Sequence, residues 1–222
     1  MADGQIKLTF RSPYFNYITT YEGCWEDEEK KKFNGKEFFF TQWRRCSHYR
    51  CIGQFIKSEY NEIENLLKNG FCTLYKDITG NKEFEGYFLN DEIDFSKPCT
   101  VYKENEIVKI ENGMSRWYGE DGKLNYEGGF CMGTPPMIFK DGEGIQFFED
   151  EYGSIPVRGI WKEGRRNGYF TNLEGKFVGY FYRGEILVSP SNVENLSVNR
   201  RMEIILKKYR EKIVEDIIYR LQ

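Results

Sequence analysis

The chain has 222 residues, with 32 Lys and Arg against 35 Asp and Glu for a formal net charge of −3. That balance argues against a nucleic-acid binder, which carries a net basic surface, and no run approaches the roughly 20 apolar residues of a membrane-spanning helix. Aromatic residues make up 17% of the chain, mostly Tyr and Phe, which suits rings laid along a sheet better than a helical bundle.

The opening residues, Met1 to Lys7, lack the apolar core of a signal peptide, so a cytoplasmic protein is expected. Ile6, Leu8 and Phe10 alternate as a leading strand that Ser12-Pro13 breaks. Tyr21-Glu-Gly23-Cys-Trp25 follows, then a mixed-charge hairpin tip over residues 26–32. Phe38-Phe39-Phe40 and Trp43 form a dense aromatic strand. Behind it, Cys46, His48 and Cys51 invite a zinc reading, but three ligands without paired spacing fall short of a closed site, and no metal or other cofactor is expected. Arg44, Arg45 and Arg50 beside the aromatics are either a phosphate-binding strand or a solvated cationic face. The six cysteines, at 24, 46, 51, 72, 99 and 131, read as free buried thiols in a reducing compartment.

Cys51-Ile-Gly53-Gln-Phe55 repeats the earlier pattern. Ser58 can cap a short inserted helix near 58–69 with Ile63, Leu66 and Leu67 on one stripe and Asn69-Gly70 closing it. Leu74-Tyr75, Gly80 and Phe84-Glu-Gly86-Tyr-Phe88 give another copy. Within residues 91–116, Phe95, Val101, Tyr102, Ile107, Val108 and Ile110 predict a degenerate repeat turning at Lys103 to Glu106.

Three similar lines then run from Trp117 to Gly133, Phe147 to Gly164 and Tyr169 to Gly184. Each has an aromatic start, a turn glycine (Gly122, Gly153, Gly175), an apolar-x-Gly-x-aromatic core and a glycine three residues later. The cores are Tyr126-x-Gly128-x-Phe130, Val157-x-Gly159-x-Trp161 and Phe177-x-Gly179-x-Phe181. Residues i, i+2 and i+4 of a strand share a face, so each core sets two bulky groups around a bare glycine. That leaves a notch in which a ring from the next hairpin can lie. One hairpin cannot bury its apolar face alone, so the hairpins must stack.

These lines resemble MORN repeats, whose consensus is roughly Tyr-x-Gly-x-Trp/Phe-x-x-Gly. The resemblance covers most of residues 15–185, but the core glycines at 23, 53, 86, 128, 159 and 179 lie 20 to 42 residues apart, less regularly than the family's period. It implies a mainly all-β fold: an elongated single-layer sheet, a solenoid of stacked antiparallel hairpins, over residues 1–188. The repeat-packing positions are Tyr21, Gly23, Trp25, Gly53, Phe55, Phe84, Gly86, Phe88, Tyr126, Gly128, Phe130, Gly159, Trp161, Phe177, Gly179 and Phe181. It also implies a scaffold of cytoskeletal or ciliary assemblies or of membrane junctions.

Residues 189–222 predict a C-terminal amphipathic helix, about 45 Å long if unbroken. Ser191 and Glu194 have capping-box spacing, and Met202, Ile205, Leu206, Tyr209, Ile213, Ile217 and Leu221 recur at three- and four-residue steps, widened by Val214 and Ile218. Arg200, Arg201, Lys207, Lys208, Arg210 and Lys212 make its other face basic. The helix either caps the last hairpin or docks elsewhere, with Tyr209, Ile213, Ile217 and Leu221 as the partner surface.

No catalytic constellation is visible: His48 is the sole histidine, and no GxSxG, HExxH or phosphate-cradling loop appears. The expectation is a non-catalytic scaffold that holds other proteins of a larger complex, with a homodimer through the helix as one arrangement. The alternative is a peripheral adaptor on anionic, phosphoinositide-bearing membrane, drawn there by the basic helix face. Recognition of that face by a calmodulin-type protein is a further reading.

Overall fold

A computed structural model of the protein describes residues 5–11, 17–41, 49–57, 66–76, 80–133, 137–147, 149–150, 153–154 and 156–221. The fold is mainly β, open antiparallel sheet built from hairpin strands, with one C-terminal helix. Contacts divide the chain into two units, Met1–Gly113 and Met114–Gln222, with the boundary in a hairpin turn.

The first unit is a meander. β1 (Ile6–Arg11), β2 (Tyr17–Trp25), β3 (Lys32–Thr41), β4 (Tyr49–Lys57), β5 (Leu66–Tyr75) and β6 (Lys82–Leu89) pair in sequence order. β6 then pairs with both β7 (Glu92–Ile93) and β8 (Cys99–Tyr102), and β8 with β9 (Glu106–Glu111). The degenerate hairpin is present, with Val101 opposite Val108 and Tyr102 opposite Ile107. Of the helix expected near 58–69, residues 58–65 lie outside the described ones, and Leu66 to Asn69 open strand β5 instead. Local propensity for a helical stripe yields here to pairing along both edges of β5, with β4 and β6. Trp43 and the residues 44–48 of the zinc and phosphate readings also lie outside the described residues.

In the second unit, β10 (Met114–Gly119), β11 (Leu124–Met132), β12 (Ile138–Gln146) and β15 (Val157–Lys162) pair in turn. β13 (Glu149–Asp150) and β14 (Gly153–Ser154) form a separate small hairpin between β12 and β15. β15 pairs with β16 (Arg165–Arg166) and β17 (Gly168–Asn172), and β17 continues to β18 (Phe177–Tyr182) and β19 (Glu185–Val188). The second sequence line is thereby corrected. Its first strand is β12, not the stretch from Phe147, and Gly153 sits in a strand, whereas Gly122 and Gly175 occupy positive-φ turns as expected.

Glu163-Gly164 and Arg183-Gly184 are two-residue turns with both residues at positive φ, 49° and 82° in one and 50° and 91° in the other. That backbone matches strand twist, and glycine enters it without a Cβ penalty. The strand-ending glycines 164 and 184 are therefore hairpin hinges.

After β19, Ser189 caps a short 3-10 turn over Pro190–Asn192, with Asn192 as reciprocal partner. The capping box thus closes on Ser189 and Asn192, not on Ser191 and Glu194, because Pro190 favours the first position inside the turn. The helix α1 (Val198–Leu221) has 24 residues, about 36 Å, and begins later than the sequence suggested.

Candidate functional site

Alternation puts one residue of each core triplet beside the next on the buried face. Along β18, Phe177, Gly179 and Phe181 are buried while their neighbours are half-exposed, and along β6 the same holds for Phe84, Gly86 and Phe88. Across the second unit the rings meet edge to face as a ladder. Trp117 meets Tyr126 at 6.1 Å, Tyr126 meets Trp161 at 5.1 Å, Trp161 meets Phe170 at 4.8 Å and Phe170 meets Phe181 at 5.1 Å. Lys140 lies over Trp117 and Tyr126, and Arg166 over Phe170 and Phe181.

Beside the ladder runs a row of small residues, Ser115, Gly128, Gly144 and Gly159, directly opposite one another across four strands. A Cβ on Gly159 would stand 2.5 Å from the Phe170 ring, and one on Gly144 would stand 2.4 Å from the Tyr126 hydroxyl. The notches are filled, at Gly159 by a ring from the following hairpin. Ser115 accepts the Trp117 indole N–H at 2.9 Å and donates to the Gly128 carbonyl at 3.0 Å.

The first unit repeats this arrangement. Gly23, Gly35, Gly53, Cys72 and Gly86 face one another across β2 to β6. Tyr21 meets Phe55 at 5.3 Å, Trp25 meets Phe33 at 5.4 Å and Phe84 meets Phe88 at 5.4 Å. Phe130 is half-buried past a register shift. The sequence reading missed Phe33, Trp117 and Phe170, which are ring positions on the strand paired with a core strand. For Trp117 alone a signal was present, the aromatic that starts its line.

One polar cluster runs from buried Tyr21 and Glu37 in the first ring set through half-buried Lys68 to exposed Asp91. Tyr21 donates its hydroxyl to Glu37 Oε1 at 3.1 Å and approaches the Leu66 carbonyl at 3.2 Å. Lys68 Nζ lies 3.8 Å from Glu37 and 3.1 Å from Asp91, and Asp91 also accepts the Lys68 backbone N–H at 2.8 Å. Burial would lower the Lys68 pKa, but the Glu37 and Asp91 charges outweigh it and hold it above the ordinary value. Burial, with the Glu37 charge and hydrogen bond, drives the Tyr21 phenol far above its ordinary value. The Cys51 and Cys72 thiols lie alongside in mutual hydrogen-bonding contact. All five described cysteines are free; Cys51, Cys72 and Cys99 are buried, Cys131 is partly so and Cys24 is exposed, against the expectation that all are buried.

A cavity of about 270 Å³ opens over Leu8, Phe10, Trp25 and Leu66, with Glu29, Lys30 and Lys57 at its rim. Its carboxylate is ion-paired with Lys31 at 2.5 Å. Among the described residues no group of His, Cys, Asp and Glu is arranged to hold a metal, and no helix is long and apolar enough to cross a membrane.

The helix α1 divides its apolar residues between two faces. Ile205 is buried with Phe177, Val188 and Val193, and Ile204 packs against that cluster. Tyr209 was expected to face a partner; instead it stacks on Tyr180 and Tyr182 at 6.0 and 5.4 Å. Those two tyrosines alternate with Gly179 and Phe181, whereas Ile205 and Arg201 meet Phe177 of the ladder face, so the helix touches side chains from both faces of β18. Arg183 pairs with Asp216 at 2.9 Å and Lys212 with Glu185 at 3.0 Å. Lys208 donates to the Leu187 carbonyl at 3.2 Å, and Arg201 stacks on Phe177 at 5.2 Å. Half of the basic face is therefore engaged by its own sheet. Met202, Leu206, Val214, Ile217 and Ile218 remain exposed, Ile213 is half-buried, and the Leu221 side chain lies outside what is described. Compared with known proteins, the chain matches no family model, and no curated protein is significantly similar to it.

Proposed function

We propose that this protein is a non-catalytic scaffold of the MORN-repeat kind, holding other proteins in a larger assembly through the outer face of α1. The observation that carries this reading is the division of that helix. Ile204, Ile205 and Tyr209 face the sheet, yet Met202, Leu206, Val214, Ile217 and Ile218 stay in solvent. Exposed apolar side chains of that kind on a docked element mark an interaction surface. The ring ladders support it as well, because their side chains serve packing. A cytoskeletal or ciliary setting follows only from the resemblance to MORN arrays.

Affinity purification from the native source tests this, run in parallel with a Leu206→Ser/Ile217→Ser variant. A discrete set of proteins recovered with the wild type and lost with the variant supports the scaffold. Equal recovery from both overturns the assignment of the helix. Self-association through the same face appears as a dimer mass in light scattering that the variant lacks.

A second reading, attachment to an anionic membrane, is favoured by Arg200, Lys207 and Arg210 lying exposed along the helix that carries the apolar strip. Co-sedimentation with vesicles that is indifferent to anionic lipid content removes it.

A further inference from the structure

We propose that Cys51 and Cys72 form a modification site, which a small hydroperoxide oxidises to an intrachain disulfide joining β4 to β5. The inference is independent of the scaffold reading and rests on placement. Cys72 stands in the small-residue row where the neighbouring strands carry glycine, directly opposite Gly53 on one side and Gly86 on the other. Because Gly53 has no side chain, the Cys72 Sγ lies over it, 2.5 Å from where a Cβ would be. Cys51 is two residues before Gly53 and so shares its face, and the two thiols touch. A side chain at position 53 would prevent that approach.

The surroundings favour reaction at Cys72. The hydrogen bond from Cys51 chiefly, with the Lys68 ammonium nearby, lowers the Cys72 pKa, while the same contact and burial raise that of Cys51. Two thiols in contact can supply one attacking and one resolving sulfur, the pairing that reversible cysteine oxidation uses. Cys99 supplies the contrast: it is buried as well, but burial alone pushes its pKa up to about 11.

Both sulfurs are fully buried, which selects the oxidant. Bulky disulfides are excluded, whereas hydrogen peroxide is uncharged and close to water in size. The Cys72 thiolate attacks one peroxide oxygen, the O–O bond breaks, and the departing hydroxide takes a proton to leave as water. The product is a Cys72 sulfenic acid. The Cys51 sulfur then attacks Cys72 Sγ, the S–O bond breaks, and the second hydroxide leaves as water with the Cys51 proton. Two thiols and one peroxide give one disulfide and two waters, with two electrons passing to the peroxide. Excess dithiol reverses the bond by exchange.

The experiment treats the folded full-length protein with hydrogen peroxide. Free thiols are then alkylated in denaturant and the peptides mapped without reduction. The expected result is loss of alkylation at Cys51 and Cys72 to the same extent, a cross-linked peptide lighter by two hydrogens, recovery after dithiothreitol, and continued labelling of Cys99. A Cys51→Ser variant forms no cross-link and leaves Cys72 as a sulfenic acid that a dimedone probe captures. Full alkylation of both cysteines at doses that oxidise exposed Cys24 overturns the proposal, as does a cross-link from Cys72 to any other cysteine. The wild-type map decides the matter even if the variant does not fold.

Discussion

At Gly159 the difference between hydrogen and methyl decides whether two hairpins can close. An added Cβ meets the Phe170 ring at 2.5 Å, and overpacking of a filled core costs about 1–3 kcal/mol. The lower unfolded-state entropy of alanine returns only about 0.4–1 kcal/mol. Gly159→Ala is therefore expected to lower the urea midpoint. Gly119→Ala, whose methyl meets only the ends of Asn125 and Asp121 at 2.9 and 3.1 Å, should stay within about 0.5 kcal/mol of wild type. Equal effects from the two substitutions would refute the notch argument.

Tyr21 provides a pH-dependent counterpart. Its folded-state pKa is raised, so the folded state holds the phenolic proton more tightly than the unfolded chain. Its contribution is complete below the unfolded value of about 10 and is lost as pH climbs above it. Tyr21→Phe also strands Glu37 without its hydroxyl donor, at a cost of about 1–3 kcal/mol near neutrality. The stability gap between wild type and variant should narrow in denaturant titrations above about pH 10. A gap that widens there contradicts the stated sign.

Among the elements, α1 is the one whose two faces make separable predictions. Ile205→Ala opens a hole beneath the docked helix and should destabilise the second unit by about 2–4 kcal/mol. Met202→Ser, on the outer face, should change thermal stability by no more than about 0.5 kcal/mol. Calorimetry on the two variants distinguishes a cap from an unattached helix, since an undocked α1 would make them alike.

The helix's amphipathic stripe was legible in its sequence, but its orientation was not. Periodicity places Leu206, Tyr209 and Ile213 on one side, yet the sheet presents Tyr180 and Tyr182, and the ring-on-ring fit turns Tyr209 inward. The core glycines were readable for a local reason: their neighbours two residues away lie in the same strand. Phe33, Trp117 and Phe170 were not, because their roles depend on register, which hydrogen bonding between strands establishes. The same holds for the cluster of Tyr21, Glu37, Lys68 and Asp91, whose members lie on four separate segments.

For the molecule as a whole, local packing makes stability a nearest-neighbour property. Each unit has its own ring set and its own row of small residues, so damage should remain regional. In native-state hydrogen exchange, Gly159→Ala is expected to lower protection mainly in β12, β15, β17 and β18, with β3 to β5 close to wild type. Uniform loss of protection over both units would instead mark a single cooperative block.

A sheet built of hairpins has a weakness at its last strand, where unspent backbone donors and acceptors invite another chain to zip on and propagate. In β19 the Lys208 ammonium occupies the Leu187 carbonyl while the terminal helix lies against the adjoining tyrosines. That contact takes up an acceptor of β19 that another chain would otherwise pair with.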